Sequence, residues 1–199
     1  MSSAVRTVEP QAEPLALDIV KAHLRIENLD VHDELLQSIY IPSATRDVEA
    51  ITQRALITQT YVYRLPCFPV AGPLRLPHPP LQSVTSVQYV DGNGTTQTWD
   101  SDDYVVDTTS TPGVIEPVYG GSWPTARGDR NSVIITLVAG YGNAASAVPA
   151  DIRHAMLLMI GDAYARVEDT PVPGEHYSIE TVPRPARMLL SPYIIPVFA

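Results

Sequence analysis

The sequence predicts an α+β protein. N-terminal helices pack on a C-terminal helix to form a helical core, which carries an inserted small antiparallel β-sandwich or barrel module and an extended C-terminal tail. Apolar residues recur every three or four positions at 32–54 and 149–167, as they do on one side of a helix. The residues between these segments are rich in Thr, Tyr and Val and alternate with a period of two, which is typical of strands. The predicted parts are a flexible N-terminal arm at 1–14, a helical core at 15–58 and 146–170, a β module at 59–145, and the tail at 171–199.

The N-terminal helices follow a polar arm. Residues 1–14 combine prolines and glutamates with little apolar content, which predicts a loose arm. A short helix comes next, and a longer one runs from His32 to about Arg54. Because a proline inside a helix removes a hydrogen bond and kinks the axis, Pro42 predicts a bend between Ser38 and Pro42 rather than two separate helices.

The middle of the chain predicts six or seven short strands, arranged as a small sandwich or an open barrel. The tetrad DGNG at 91–94 readily adopts positive φ, so it predicts a tight hairpin between 84–90 and 95–100. The proline-rich segment 65–81 lacks the N–H groups of a regular ladder. We therefore expect that segment to run along the edge of a sheet.

The segment 149–167 has the clearest helical pattern in the chain. Its apolar residues, Met159 and Ile160 among them, fall on one side of a helix. Pro149 suits the first helical turn, where its missing N–H costs nothing. A helix this apolar must be covered, and we expect 32–54 to cover it.

The C-terminal tail is apolar yet rich in proline. The prolines of 183–199 predict at most a single helical turn, so the apolar side chains cannot hide against each other. Such a tail needs a surface supplied by a partner. We predict docking through Arg184, Arg187, Met188, Leu189, Leu190, Tyr193, Ile194, Ile195, Val197 and Phe198.

Composition excludes several classes of function. A net charge of -9 with no basic run argues against a protein that grips nucleic acid through its phosphates. The single cysteine, Cys67, excludes an internal disulfide framework. We find neither an apolar signal segment nor a run long enough to cross a bilayer, which predicts a protein made in the cytoplasm with no membrane association.

No set of residues predicts catalysis, a metal site or a cofactor. The five histidines are dispersed, without the spacing of metal ligands within one element. Cys67 has no His or charged neighbour to activate it, so we expect a packed thiol. Asp100, Asp102 and Asp103 lack the glycine and terminal glutamate of a calcium loop.

One charge pattern has two interpretations. No Lys or Arg occurs between Arg75 and Arg127. The interval is either a solvated acidic hairpin or a surface that must not adhere to a polyanion passing close by. Its acidic residues are Asp91, Asp100, Asp102, Asp103, Asp107 and Glu116.

The order of these features resembles the head–tail connector, or adaptor, proteins of tailed bacteriophages and gene transfer agents. The resemblance is carried by LDIVKAHLRI, DELLQSIYIPSATRDVEAITQRALITQTYVYRL, LRLPHPPLQSVTSVQYVDGNGTTQTW and VPADIRHAMLLMIGDAYARVE, and it covers about 15–195. It implies a non-enzymatic virion protein without cofactors. Such proteins form a ring, usually of twelve copies, beneath the portal at the capsid vertex.

The resemblance also implies partners and sites. The ring continues the DNA channel toward a stopper or tail, and DNA passes through it without specific binding. The C-terminal segment docks on the portal, in agreement with the apolar tail. The residues expected to face the channel are Asp91, Asp100, Asp102, Asp103 and Asp107.

Two alternatives remain. A stopper or tail-completion protein would also form a ring but would dock through its β module. A small β-sandwich enzyme is the third possibility, with His154 or Asp103 as the least implausible catalytic residue. A gene lying between portal or capsid genes and tail genes would support the first two functions and exclude the enzyme.

Overall fold

The computed structural model of the protein describes residues 3–26, 30–166 and 182–195. The fold is α+β, as predicted. It divides into a β unit, drawn from Met1–Gln11 and Ile57–Asn143, and a helical unit, drawn from Ala12–Leu56 and Ala144–Ala199. The strands of the described residues are β1 (Ser3–Val8), β2 (Gln59–Leu65), β3 (Leu74–Arg75), β4 (Leu81–Val90), β5 (Thr96–Thr98), β6 (Tyr104–Asp107), β7 (Val114–Pro117) and β8 (Val133–Ala139). Their α-helices are α1 (Leu17–Leu24), α2 (Asp33–Leu35), α3 (Ile41–Thr52), α4 (Ala150–Arg166) and α5 (Arg184–Leu190).

The β unit contains two antiparallel sheets. One has five strands in the order β1-β2-β8-β4-β5, and the other has three in the order β3-β7-β6. Both sheets are open, so they do not close into a barrel. Strand β8 lies at the centre of the larger sheet, and its alternate residues Val133, Ile135, Leu137 and Ala139 are fully buried, as the period of two requires. The proline-rich segment contributes β3 at an edge of the smaller sheet, as predicted.

The predicted hairpin at 91–94 is confirmed. β4 pairs antiparallel with β5, and the Asp91 N–H donates to the Thr95 carbonyl at 2.9 Å. Gly94 has a φ of +86°, a conformation that residues with a side chain rarely adopt. The turn therefore requires glycine at this position.

The prediction of a flexible arm at 1–14 is wrong for Ser3–Val8. This segment forms β1, which pairs antiparallel with β2 and lies at an edge of the larger sheet. Most of its side chains are exposed, so the apolar alternation that identifies a half-buried strand is absent. The strand forms because the backbone groups of β2 offer it a partner. The β unit thus includes an N-terminal strand and is more than an insertion between helices.

The core of the helical unit is the apolar side of α4. Its residues Met159 and Ile160 are 8% and 1% exposed, and α4 contacts α1, α3 and α5. The predicted packing of 149–167 against 32–54 is therefore confirmed.

The irregularity predicted near Pro42 takes the form of a π-helical turn at Leu36–Tyr40, between α2 and α3. In an α-helix the nitrogen of Pro42 would face the Ser38 carbonyl, to which it cannot donate. A wider turn relieves this conflict. Asp33–Thr52 is consequently one helical run with a widened turn rather than two helices.

Candidate functional site

Asp91, the first of the predicted channel residues, holds the hairpin turn together. Its Oδ1 accepts from the N–H groups of Asn93 and Thr95, both at 2.9 Å, and its Oδ2 accepts from Gln97 Nε2 at 3.0 Å. These hydrogen bonds, the one from Gln97 foremost, favour the ionised form and lower the pKa of Asp91 below its ordinary value. Its charge therefore has a structural use in the β unit.

Asp107 has the same role at the end of β6. Its Oδ1 accepts from the N–H of Thr109 at 2.7 Å and from that of Ser110 at 3.2 Å. It also accepts from the Thr109 hydroxyl at 2.6 Å, and Oδ2 accepts a short bond from the Ser110 hydroxyl. The side-chain bonds, that of Ser110 first, hold the pKa of Asp107 well below its ordinary value.

The remaining acidic residues lie around a 3₁₀ turn at Ser101–Asp103 and on β7. Asp100 Oδ1 accepts from the Asp102 N–H at 3.1 Å and caps the turn. Asp102 and Asp103 are exposed, as is Glu116 on β7. Turn formation thus accounts for Asp91, Asp100 and Asp107, whereas these three exposed carboxylates have no such explanation.

The predicted docking tail is partly folded onto its own helical unit. Helix α5 packs against α4, and Ala186 and Leu190 are fully buried. Pro185 lies in the first turn of α5, where a proline is tolerated. The prediction of at most a single helical turn is therefore wrong, since α5 has seven residues, and Leu190 is a core residue rather than a docking residue.

A polar clamp holds the chain after α5. Arg54 Nε donates to the Tyr193 carbonyl at 2.7 Å, and its guanidinium lies 5.9 Å from the centroid of the Tyr193 ring. The Tyr193 hydroxyl donates to Asp151 Oδ2 at 3.4 Å. Burial, then the nearby Asp151 carboxylate, raises the pKa of Tyr193. Tyr193, predicted as an anchor for a partner, is engaged within the helical unit.

The side of α5 opposite its buried residues is basic and apolar. Arg184, Arg187 and Met188 are exposed, Met188 to 75%. Positions i, i+3 and i+4 of a helix lie on one face, so Met188 lies beside both arginines. We call these three residues the α5 face.

The structure describes three of the other predicted docking residues. Leu189 and Ile195 are half-buried and Ile194 is exposed. Val197 and Phe198 lie outside the described residues. The backbone is extended at Ile194, so the 3₁₀ turn that follows α5 ends before this residue.

The β unit contains an open groove of about 650 Å³ between the loop before β3 and the loop after β7. Phe68, Trp123 and prolines line it, together with Glu116. Val70 and Tyr119, one on each loop, are fully exposed. We call this cavity the aromatic groove.

A cluster of aromatic rings includes Phe68 and Trp123, which line the aromatic groove. Phe68 lies against Trp123 with ring centroids 5.1 Å apart, and Trp99 lies 5.3 Å from Trp123. Tyr104 lies 4.9 Å from Trp99. The sequence did not predict this cluster, because its members come from loops and strands that are far apart in the chain and share no periodicity. The prediction of a packed Cys67 is wrong, since that thiol is exposed while Phe68 takes the buried position.

Two further findings concern the described residues. Nowhere among them do three His, Cys, Asp or Glu side chains cluster so that they could hold a metal ion. None of the helices they form has the length and apolarity to cross a membrane.

Several solved structures resemble the chain over nearly its whole length. A chain of the virion of a native gene transfer agent (GTA) particle gives a TM-score of 0.77 at 23% identity, covering 98% of this chain and 97% of that chain. A chain of the neck of an empty GTA particle computed with C6 symmetry gives 0.74 at 23% identity, covering 100% and 98%. A chain of the neck of a native GTA particle computed with C12 symmetry gives 0.68 at 22% identity, covering 100% and 98%. No protein-family model and no curated protein matches the chain. The likeness establishes a shared fold.

Proposed function

We propose that the protein is a structural subunit of the neck of a gene transfer agent or phage particle. In this role it is a head–tail connector (adaptor) that forms a ring beneath the portal and extends the DNA channel toward the stopper and tail. It has no enzymatic activity and no cofactor. The observation that carries the proposal is the match of its fold to virion and neck chains of GTA particles, over 98% or more of the chain.

The proposed ring has twelve copies. Two of the similar chains belong to GTA necks computed with C6 and C12 symmetry, and cyclic symmetry of this kind is what a ring of identical subunits has. A ring needs two different surfaces on each subunit, because a contact of one surface with itself ends in a dimer.

The proposed portal contact is the end of the tail. Leu190 is buried and Tyr193 is clamped, so the docking segment begins at Ile194 and includes Ile195, Val197 and Phe198. A large apolar side chain contributes about 1.5–3 kcal/mol when it is fully buried. A few such side chains supply an appreciable share of an interface even after the ordering of the segment is subtracted.

The proposed channel surface is the acidic turn of the β unit. Asp102 and Asp103 are exposed and would repel the phosphates of passing DNA. At physiological salt such repulsion is screened beyond about 8 Å, so it requires these carboxylates near the DNA path. Arg at both positions should slow DNA ejection while rings still assemble. Ejection at the wild-type rate would leave the two residues as solvated turn residues.

Attachment to heads tests the function. Cells that lack the protein should yield DNA-filled heads without tails, and adding the purified protein should restore joining. A chain that ends at Tyr193 keeps the buried contacts of α5, so it should fold and form rings but not bind portal-bearing heads. Equal binding by this truncated chain would show that the portal is gripped elsewhere.

The same assay separates the connector from the stopper. A connector binds heads that carry only the portal. A protein that binds heads only after another neck protein is present would be a stopper. A protein that binds neither kind of head would have no role in the neck.

A further inference from the structure

We infer that the aromatic groove is the docking site for the α5 face of a second copy of this chain. The inference rests on the proposed function, because it supplies the contact between neighbouring subunits of the ring. The groove and the α5 face are different surfaces, so the contact is heterologous. Such a contact closes into a ring when a whole number of the rotations that relate neighbouring subunits makes a full turn.

The α5 face has the chemistry of an interface anchor. Met188 is 75% exposed although Ala186 and Leu190 of the same helix are buried, and Arg184 and Arg187 share its face. Methionine adapts its shape to irregular cavities and makes favourable contacts between its sulfur and aromatic rings. Arginine is enriched in interfaces because it binds carboxylates and also stacks on aromatic surfaces.

The aromatic groove has the complementary chemistry. Its aromatic lining consists of Phe68 and Trp123, whose rings stack on each other, and aromatic rings attract a thioether, often at the ring edge. Its charged lining residue is Glu116, which is exposed. Arg127, beyond the groove on the loop after β7, is ion-paired with Asp129 at 2.8 Å, so its charge is compensated locally.

Charge favours the α5 face as the occupant of the groove. Glu116 is the charged residue that lines the groove. The α5 face brings the Arg187 guanidinium to the Glu116 carboxylate while Met188 enters the groove. The two described surfaces thus match in both polarity and charge.

Engineered disulfides test the contact. Cys67 is the chain's single cysteine and lies on the wall of the groove, so M188C would place a second thiol opposite it across the interface. Mild oxidation of M188C, as purified protein and on portal-bearing heads, should give a ladder of covalent dimers, trimers and larger species. V31C is the matched control, because Val31 is also strongly exposed but lies outside the α5 face.

The pattern of products decides the inference. A ladder whose cross-linked peptides join Cys67 to position 188 supports a heterologous contact. A product that stops at the dimer, or a yield no greater than that of V31C, overturns it. Wild-type rings that form while M188C gives no ladder would refute this contact alone, whereas a wild-type protein that neither forms rings nor binds heads would refute the proposed function.

Charge reversal gives an independent readout. E116R and R187E should each weaken association about tenfold, equivalent to about 1.4 kcal/mol, and the double variant should recover most of the loss. Native mass spectrometry of the purified variants measures the ring population. Single variants that associate like the wild type, or a double variant no better than either single one, would rule out the pairing.

Discussion

Leu190→Ala tests whether α5 belongs to the core of the helical unit. Leu190 is fully buried on a helix that packs against α4. Truncation of a buried leucine removes apolar burial and leaves a cavity, which costs about 2–5 kcal/mol. Met188→Ala, two positions earlier on the exposed side, should change the stability by less than about 0.5 kcal/mol.

The loss should appear first as local unfolding. α5 is a seven-residue helix, and without its leucine it can detach while α4 stays folded. The change in global stability is therefore limited to the free energy with which α5 docks. Hydrogen exchange measures that docking directly at the Arg187 N–H, which donates to the Pro183 carbonyl at 3.0 Å. A loss of about 2 kcal/mol corresponds to exchange about thirtyfold faster.

Two results together would refute the reasoning. Leu190→Ala and Met188→Ala would unfold at the same denaturant concentration, and the α5 amides of Leu190→Ala would exchange at the wild-type rate. The tail would then be free of the helical unit, as the sequence predicted. Loss of protection in α5 with an unchanged α4 would instead confirm that the helix is docked and separable.

Three further perturbations have expected outcomes. Gly140→Ala should destabilise the β unit by more than about 2 kcal/mol in thermal unfolding, because its φ is +130° and a Cβ would lie 2.5 Å from the Ile57 backbone. Asp107→Asn should lower stability above the carboxyl's ordinary pKa of 3.8. Because the pKa of Asp107 is lower in the folded protein than in the unfolded chain, the extra stability of the wild type should shrink as the pH falls below 3.8 toward the folded pKa. Arg54→Ala should speed hydrogen exchange after α5, since it removes the clamp on Tyr193.

Each perturbation has a matched control. Gly92→Ala should be tolerated, because a Cβ there meets nothing within 4 Å. Asp102→Asn removes an exposed charge rather than a turn acceptor, so it should change the stability less than Asp107→Asn does. Arg54→Lys keeps the charge without the planar guanidinium and should recover only part of the clamp. A control that behaves like its partner variant would contradict the corresponding assignment.

The parts of the fold that the sequence predicted are those with a strong local signal. α4 has a long apolar periodicity, and a proline directly precedes its first residue; both signals are local in the sequence. The hairpin at 91–94 depends on the sequence DGNG, which favours the positive φ of a tight turn. Pro42 likewise predicted an irregular turn, because the missing N–H is a property of the residue itself.

The parts that the sequence did not predict depend on partners distant in the chain. β1 exposes most of its side chains and gains its structure from backbone pairing with β2, which leaves no apolar pattern. α5 is too short to be stable alone, so its helix exists because α4 buries Ala186 and Leu190. The cluster of aromatic rings at the aromatic groove is assembled from residues that are adjacent only after the sheets have formed.

The acidic residues between Arg75 and Arg127 combine roles that the sequence cannot separate. Asp91, Asp100 and Asp107 accept hydrogen bonds within their own turns, so these positions would be acidic whether or not DNA passed nearby. Net charge over the interval is therefore weak support for a channel surface. The functional proposals instead rest on the exposed carboxylates, and charge reversal distinguishes them. Reversal at Glu116 should break the ring, whereas reversal at Asp102 and Asp103 should leave the ring intact and slow DNA ejection.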